Sequence, residues 1–178
     1  MKLKKITFLT AALLALLVAV GCGGSGSKAT TAAGNGTDRA FVAEMVPHHQ
    51  SAIKMAKVAE QRGESPFVKR LAASIIKTQD AEIGTMKAAD AKLADAGVQR
   101  GTLDMPASMM GMDMDTKALE SADPFDRAFL QMMIPHHEGA VAMAKVELDK
   151  GKDAALKQLA QQIIDGQQRE ITEMRQQL

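Results

Sequence analysis

Apolar residues recur at helical spacing in two consecutive stretches of the chain. Those of the first stretch are Phe41, Met45, Ala52, Met55 and Ala56, and those of the second are Leu71, Ala72, Ile75, Ile76, Ile83 and Met86, with Gln79 on the same stripe. Spacings of three, four and seven residues place such positions on one face of an α-helix. The pattern therefore predicts two helices, each with one buried face.

Residues that start and stop helices separate the two stretches. Thr37 or Asp38 is expected to cap the first helix, and Gly63 is expected to end it. Ser65 and Pro66 then provide an N-cap and a first-turn proline for the second helix. The two helices are therefore expected to form a hairpin.

The same hairpin occurs twice. Residues 38–86 align with residues 126–174 without a gap, with 23 identities in 49 positions. Two hairpins with apolar inner faces bury those faces by packing together. The sequence therefore predicts an all-α fold, a four-helix bundle made of two tandem hairpins. A long connection, Val98 to Asp123, separates helices 2 and 3, and it could run the length of the bundle, as in ferritin-like folds.

The composition agrees with a helical core. Apolar residues make up 46% of the chain, but it has no Trp or Tyr, only five Phe, and 13 Met. Ala, Leu and Met enter helices at little cost, whereas strands are enriched in aromatic residues. From Cys22 onward there are 19 basic and 21 acidic residues. This near-neutral balance gives no reason to expect nucleic acid as a partner.

The first residues have the features of an export signal. Residues 1–21 contain three lysines followed by an apolar run from Ile6 to Val20, which predicts a signal peptide. The stretch from Leu17 to Cys22 resembles a bacterial lipobox, so Cys22, the only cysteine, is expected to carry a lipid anchor.

A tether is expected between this anchor and the folded domain. Residues 22–36 are rich in Gly, Ser, Thr and Ala, a composition that cannot bury enough apolar surface to fold. Residues 37–178 are expected to form the bundle. We therefore expect an exported protein, anchored to the outer face of the bacterial membrane or located in the periplasm.

The first helix of each hairpin carries the same cluster of Met, Pro and His, and all four histidines of the chain lie in it. The residues are Met45, Pro47, His48 and His49, repeated as Met133, Pro135, His136 and His137. On a helix, Met45 and His48 share a stripe, whereas His49 lies about 100° round. A proline inside a helix costs about 3 kcal/mol, so its recurrence beside both His pairs supports a site.

Imidazole and thioether groups together suit copper, because Met sulfur favours Cu(I) and His serves both Cu(I) and Cu(II). The candidate metal ligands are Met45, His48, His49, Met55, Met86, Met133, His136, His137, Met143 and Met174. Core packing is an equally good explanation for Met55, Met86, Met143 and Met174. Glu82 and Glu170 are either further ligands or acceptors that orient a histidine ring.

The long connection between the hairpins is rich in methionine. Met105, Met109, Met110, Met112 and Met114 lie within ten residues, beside two aspartates and without helical or strand periodicity. Since no periodicity explains these methionines as core residues, Met109, Met110, Met112 and Met114 are further candidates for the metal site or its surroundings.

The doubled pattern resembles the exported bacterial family known as domain of unknown function 305. Its residues here are Phe41, Met45, Pro47-His48-His49, Ala52, Met55-Ala56, Gln79, Glu82-Ile83 and Met86, followed by their second copies. The resemblance covers residues 38 to about 178 and implies a ferritin-like four-helix bundle. The CopM-type members of that family are copper-binding proteins of the periplasm or cell exterior, implicated in copper resistance. The resemblance therefore implicates both Met/His motifs in binding copper.

Three functions follow from these residues. The first is a non-enzymatic lipoprotein that binds Cu(I), Cu(II) or both, for copper buffering, sequestration or resistance. The second is a ferritin-like redox protein with two metal ions, although such centres need about four carboxylates and Glu-x-x-His pairs, which this chain lacks. The third is a structural or interaction module that binds no metal. No catalytic motif is present, and a homo-oligomer and the identity of a protein partner stay open.

Overall fold

The computed structural model describes residues 34–111 and 116–178, which contain five α-helices, one turn of 3-10 helix and no strand. The helices are α1 Gly36–Arg62, α2 Pro66–Asp95, α3 Thr116–Ser121, α4 Phe125–Lys150 and α5 Ala154–Arg175, and the 3-10 turn is Ala107–Met109. The all-α prediction is confirmed. The predicted signal peptide, Cys22, the tether up to residue 33, Met112 and Met114 lie outside the described residues.

Most helix ends follow the predicted signals. Gly63 and Gly151 lie directly after α1 and α4. Ser65 caps α2, its hydroxyl accepting the Val68 N–H at 3.2 Å, and Asp153 caps α5, its carboxylate accepting the Leu156 N–H at 2.9 Å. These short connections make α1 with α2, and α4 with α5, two antiparallel hairpins.

The predicted cap of α1 is wrong. Asn35 is the N-cap, and its side-chain oxygen accepts the N–H groups of Thr37 at 2.9 Å and Asp38 at 3.2 Å. Asp38 lies at the third helical position, where its carboxylate accepts the Asn35 N–H and completes a capping box. The helix therefore starts at Gly36, because the polar side chain of Asn35 satisfies its first N–H groups.

Both internal prolines are accommodated within continuous helices. Pro47 lies inside α1 and Pro135 inside α4, and both are exposed to solvent. Each ring therefore occupies the outer face, while the neighbouring histidines occupy the inner face. Neither helix is interrupted at its proline.

Two equivalent aspartates show how the hairpins are arranged. Asp38, at the start of α1, accepts the N–H groups of Lys152 at 2.9 Å and Asp153 at 2.8 Å, at the turn between α4 and α5. Asp126, at the start of α4, accepts the N–H groups of Glu64 at 2.9 Å and Ser65 at 2.8 Å in the same way. Helices α1 and α4 are therefore antiparallel neighbours, related by an approximate two-fold axis.

The long connection runs the length of the bundle. It begins beside the start of α1, where the Gly101 N–H donates to the Gly36 carbonyl at 2.9 Å. It ends beside the last residue of α1, where the Arg62 guanidinium donates to the carbonyls of Leu119 and Ala122, both at 3.0 Å. The 3-10 turn and helix α3 in this segment were not predicted, because neither is long enough to show a period.

The core lies between the four long helices. The largest fully buried side chains are Phe41, Phe125, Phe129, Met45, Met55, Ile75, Met86, Leu119, Met133, Met143, Leu156 and Ile163. Small buried residues such as Ala52, Ala56, Ala140 and Ala144 let α1 and α4 approach closely. Within residues 34–111 and 116–178, no helix is both long and apolar enough to cross a membrane.

Glu147 is a carboxyl group buried at one end of this core. It is fully buried in α4, at the position that Ala59 occupies in the first hairpin. The Asp38 carboxylate lies beside it, although neither Glu147 oxygen makes a hydrogen bond of standard geometry. Burial, together with the negative charge of Asp38, raises the pKa of Glu147 to about 9. Glu147 is therefore protonated at neutral pH.

Replacing Glu147 by Gln should stabilise the protein at pH 8 and have little effect near pH 4.5. The unfolded chain releases the Glu147 proton above its ordinary pKa of 4.5, whereas the folded protein holds it up to about pH 9. The free energy of unfolding of the parent should therefore fall as pH rises through this window. A glutamine side chain at this position has no proton to lose, so the variant avoids this loss.

Thermal unfolding followed by circular dichroism at both pH values measures the effect. The matched control is Glu60→Gln, a substitution at an exposed position of α1, which should leave Tm unchanged at both. An equal loss of stability at both pH values in Glu147→Gln would contradict a protonated Glu147.

Candidate metal centre

The four histidines lie together in the middle of the bundle, and all are completely buried. His48 of α1 faces His136 of α4, with ring centroids 3.7 Å apart and planes inclined at 34°. The two rings meet where the antiparallel helices pass each other, on the approximate two-fold axis. The His48 and His49 rings are 6.2 Å apart, so the motif presents its two imidazoles in different directions, as the helical spacing predicted.

The second histidine of each pair contacts a glutamate of its own hairpin. His49 Nε2 lies 2.7 Å from Glu82 Oε2 on α2, and His137 Nε2 lies 2.8 Å from Glu170 Oε2 on α5. A carboxylate that accepts one imidazole N–H fixes the ring and leaves the other nitrogen as a lone-pair donor. This contact makes Nδ1 of His49 and of His137 the available nitrogen.

Six buried imidazole nitrogens make no hydrogen bond of standard geometry. They are Nδ1 and Nε2 of His48, Nδ1 and Nε2 of His136, and Nδ1 of His49 and of His137. A polar atom that is buried without a partner costs roughly 1–3 kcal/mol. Such a cost is understandable if the nitrogens bind something. Each neutral ring has one lone pair that a metal ion accepts, whereas the second nitrogen of His48 and of His136 carries a proton.

Burial keeps the central pair uncharged. Loss of solvent, together with the nearby His49 and His137 rings, lowers the pKa of His48 to about 3, and the carbonyls of His136 and Met110 only partly oppose this. Burial and the neighbouring histidines lower the pKa of His136 to about 2. Both rings are therefore neutral at pH 7, which is the protonation state that binds metals.

In each hairpin, two methionines lie one helical turn from the His–Glu contact. Met45 precedes His49 by four residues on α1, and Met86 follows Glu82 by four residues on α2. Because the two helices are antiparallel, both steps lead in the same direction, and Met45 and Met86 lie at the same level. Both side chains are completely buried. Met133 and Met174 occupy the corresponding positions beside His137 and Glu170 in the second hairpin.

Met55 and Met143 lie further away. Met55 follows His48 by seven residues, about 10 Å along the axis of α1. His48 faces His136 across antiparallel helices, so Met55 lies at the level of Phe129, which precedes His136 by seven residues. By symmetry, Met143 lies at the level of Phe41. All four of these side chains are buried in the core. The packing explanation therefore fits Met55 and Met143 better than it fits Met45 and Met86.

The methionine-rich connection passes directly over the histidines. The Met110 carbonyl contributes to the electrostatic environment of His48. A β-carbon on Gly111 would meet the Pro135 carbonyl oxygen at 2.9 Å and the His136 Cα at 3.1 Å. The Met110 side chain is half-buried against the core, whereas Met109 is 58% exposed. The connection thus forms a cover over the site.

Gln79 and Gln167 are polar neighbours that the sequence placed on the buried stripe without assigning them to the site. They are 2% and 4% exposed and lie one turn before Glu82 and Glu170. The oxygen of Gln79 and both side-chain polar atoms of Gln167 lack a standard hydrogen bond. Their repetition on an apolar face was the signal that could have identified them.

The described histidines and carboxylates alone do not form a metal site. Within the described ranges, 34–111 and 116–178, no group of three or more His, Cys, Asp or Glu side chains is arranged to hold a metal ion. A metal ion bound here would therefore also need donors of another kind, and the buried thioethers of Met45, Met86, Met133 and Met174 are available.

Comparisons with known proteins place this geometry in a family. CopM in its Cu(I)-bound form has a similar structure, with a TM-score of 0.66, 37% identity, and coverage of 78% of this chain and 93% of CopM. The Cu(II)-bound form of CopM gives a TM-score of 0.68 at 38% identity with the same coverage, and CopM also has a silver-bound structure. A DUF305 protein from Streptomyces coelicolor, which its name classes as secreted, gives 0.67 at 31% identity, covering 78% of this chain and 88% of that protein.

One viral protein shares a single segment. The uncharacterised protein L153 of Acanthamoeba polyphaga mimivirus is 49% identical over 49 residues, which is 28% of this chain and 32% of the viral protein. The chain therefore aligns with about a third of that relative. The profile described as "Domain of unknown function (DUF305)" matches residues 38–178, and the chain belongs to the DUF305 family.

Proposed function

We propose that the protein is an exported lipoprotein that binds copper at two equivalent buried Met/His sites and sequesters it outside the cytoplasmic membrane. The observation that carries this proposal is the set of six buried imidazole nitrogens without a hydrogen bond of standard geometry, in a bundle whose Met45, Met86, Met133 and Met174 are also completely buried. The predicted signal peptide and the expected lipid anchor at Cys22 support an extracytoplasmic location, as does the similarity to a DUF305 protein named as secreted.

The first site would use Met45, His49 and Met86, and the second would use Met133, His137 and Met174. In each, the imidazole presents Nδ1 because Nε2 contacts a glutamate. His48 and His136, which face each other between the two sites, provide further neutral nitrogens.

The donor chemistry favours copper. Neutral imidazoles and thioethers are soft or borderline donors that suit Cu(I) and need no reducing compartment. CopM has been solved with Cu(I) and with Cu(II), and this supports copper as the metal of the present protein, which is similar to CopM. A fully buried site would keep copper away from solvent, which fits storage or sequestration.

Cu(I) should bind with a stoichiometry of two per chain. Substitutions in one Met/His motif should remove one equivalent and leave the other bound. Changing Met45→Leu and His49→Ala should remove one equivalent, and Met133→Leu with His137→Ala should remove the other. A competition titration against a colorimetric Cu(I) chelator measures both stoichiometry and affinity, and circular dichroism verifies that each variant stays helical.

The matched control is the double variant Met55→Leu, Met143→Leu. These methionines belong to the same repeated motif but lie at a different level of the bundle, so this variant should keep both equivalents. A folded variant that lacks all four histidines and still binds copper as tightly as the parent would contradict the proposal.

The glutamates should tune the affinity without being ligands. Replacing Glu82 and Glu170 by Gln weakens the acceptor that orients each imidazole, and such changes typically reduce metal affinity about 10–100-fold. We expect this reduction with two equivalents of Cu(I) still bound. Loss of both equivalents would instead make the carboxylates direct ligands, and unchanged affinity would show that the His–Glu contacts do not act on the metal.

A further inference from the structure

An open groove lies between the connection and the outer face of α4. Its volume is about 830 Å³, and the side chains of Met109 and Met132 both line it, together with Gln131 and Glu138. Among the described residues, the exposed large apolar side chains are Met109, at 58%, and Leu178, at 44%. A thioether on the connection and a thioether on α4 therefore border the same solvent-accessible space.

The two copies of the repeat differ in sequence at this groove. Met132, Gly139 and Ala142 line it, and the corresponding residues of the first hairpin are Glu44, Ser51 and Lys54. Glu44 and Lys54 are exposed, as expected for a solvated helix face. The second copy has thus lost two charged groups and one hydroxyl and has gained a methionine.

Part of this difference has a packing cause. A side chain at position 139 would collide with the backbone of Met110, and Gly111 has a φ of 67°, which favours glycine. These two glycines let the connection lie directly on α4. The same requirement does not explain Met109 and Met132, because both line the open groove rather than the contact.

The groove borders the buried histidines. Gly111 and Pro135 line it, and Gly111 also lies against the backbone of His136. The Met110 carbonyl, one residue away, lies beside His48. The groove therefore reaches the α4 backbone at Pro135 and His136, next to the candidate metal site.

The first hairpin has a different surface beside its own proline. A smaller cavity of about 290 Å³ lies beside Pro47, and its lining includes Lys87, Asp90 and Arg100 but no methionine. Two of these groups are cationic, and a copper ion is repelled by cations. The two halves thus present different surfaces to an arriving ion.

We infer that the thioethers of Met109 and Met132 bind Cu(I) in this groove, as a loading site from which the ion passes to the buried Met/His site of the second hairpin. The inference rests on the proposed copper function. Transfer is a ligand exchange in which imidazole and buried thioether donors replace the two thioethers that line the groove, and copper remains Cu(I) throughout. One exposed and one half-buried thioether in an open groove form a weak site, as rapid release requires.

The rate of copper uptake tests the loading role. In stopped-flow mixing of the protein with Cu(I)–bicinchoninate, the variant Met109→Leu, Met132→Leu should load about tenfold more slowly, a change of about 1.4 kcal/mol in the barrier. Its final stoichiometry and affinity should equal those of the parent. The control Met105→Leu changes a half-buried methionine of the same connection that does not line the groove, and should load at the parental rate. An unchanged rate in the double variant would overturn the inference.

A titration with Ag(I) separates this inference from the proposed function. Ag(I) is a soft, redox-stable substitute for Cu(I), and NMR of isotope-labelled Met methyl groups reports each thioether. The buried methionines Met45, Met86, Met133 and Met174 should respond to the first equivalents. The Met109 and Met132 methyl resonances should then shift together with one dissociation constant.

The two sets of resonances test the loading site and the buried sites separately. If the buried methionines respond and those of Met109 and Met132 do not, or if these two shift with different constants, the loading site is overturned while the proposed function stands. If Met109 and Met132 alone respond, the groove binds the metal and the buried sites are contradicted.

Discussion

Four imidazole rings are removed from water where α1 passes α4, and six of their nitrogens have no hydrogen-bond partner of standard geometry. This burial determines the protonation of the site, because it keeps His48 and His136 neutral. It also requires the surrounding bundle to be stable enough to offset the cost of the unpartnered nitrogens. The apolar core, the paired aspartate contacts at the two ends and the alanines between α1 and α4 provide that stability. A ligand that used the lone pairs would remove part of the cost and so stabilise the fold.

The approximate two-fold symmetry explains why two sites with the same donors are expected. The connection explains why the surfaces around them differ. Each hairpin contains its own Met, His and Glu in the same relative positions. The single connection can lie on only one of the two symmetry-related faces, and Gly111 and Gly139 bring it onto α4. The second candidate site therefore lies beside the connection and the groove lined by Met109 and Met132, whereas a cavity lined by Lys87, Asp90 and Arg100 lies beside Pro47 of the first hairpin.

Much of the fold could be predicted because it rests on local signals. The capping residues Ser65 and Asp153, the glycines Gly63 and Gly151, and the repeat itself define four helices and their pairing within hairpins. The start of α1 was misplaced because Asn35 lies in a Gly- and Thr-rich stretch that has the composition of a tether. The contact of His48 with His136 could not be predicted, because it depends on how the two hairpins pack.

The sequence predicts which residue types form the candidate site, but not which of these residues lie together. Helical spacing predicts that His48 and His49 point in different directions. Only the packing shows that His48 faces the second hairpin and that His49 faces Glu82. The same packing puts Met86 level with Met45 and puts Met55 level with Phe129. Gln79 was placed on the buried stripe but not assigned to the site, because its neighbours in space were unknown. Glu147 was missed because it replaces Ala59 of the first hairpin and so lies outside the repeated pattern.

X-ray absorption at the copper edge of the fully loaded Cu(I) protein tests the central claim most directly, because it distinguishes sulfur from nitrogen or oxygen donors without relying on a variant. The account predicts that thioether sulfur and imidazole nitrogen are both bound to copper, and that samples with one and with two equivalents of Cu(I) give equal spectra because the two proposed buried sites have the same donors. Copper bound only by nitrogen and oxygen donors would contradict the claim that the repeated Met/His motifs hold the metal.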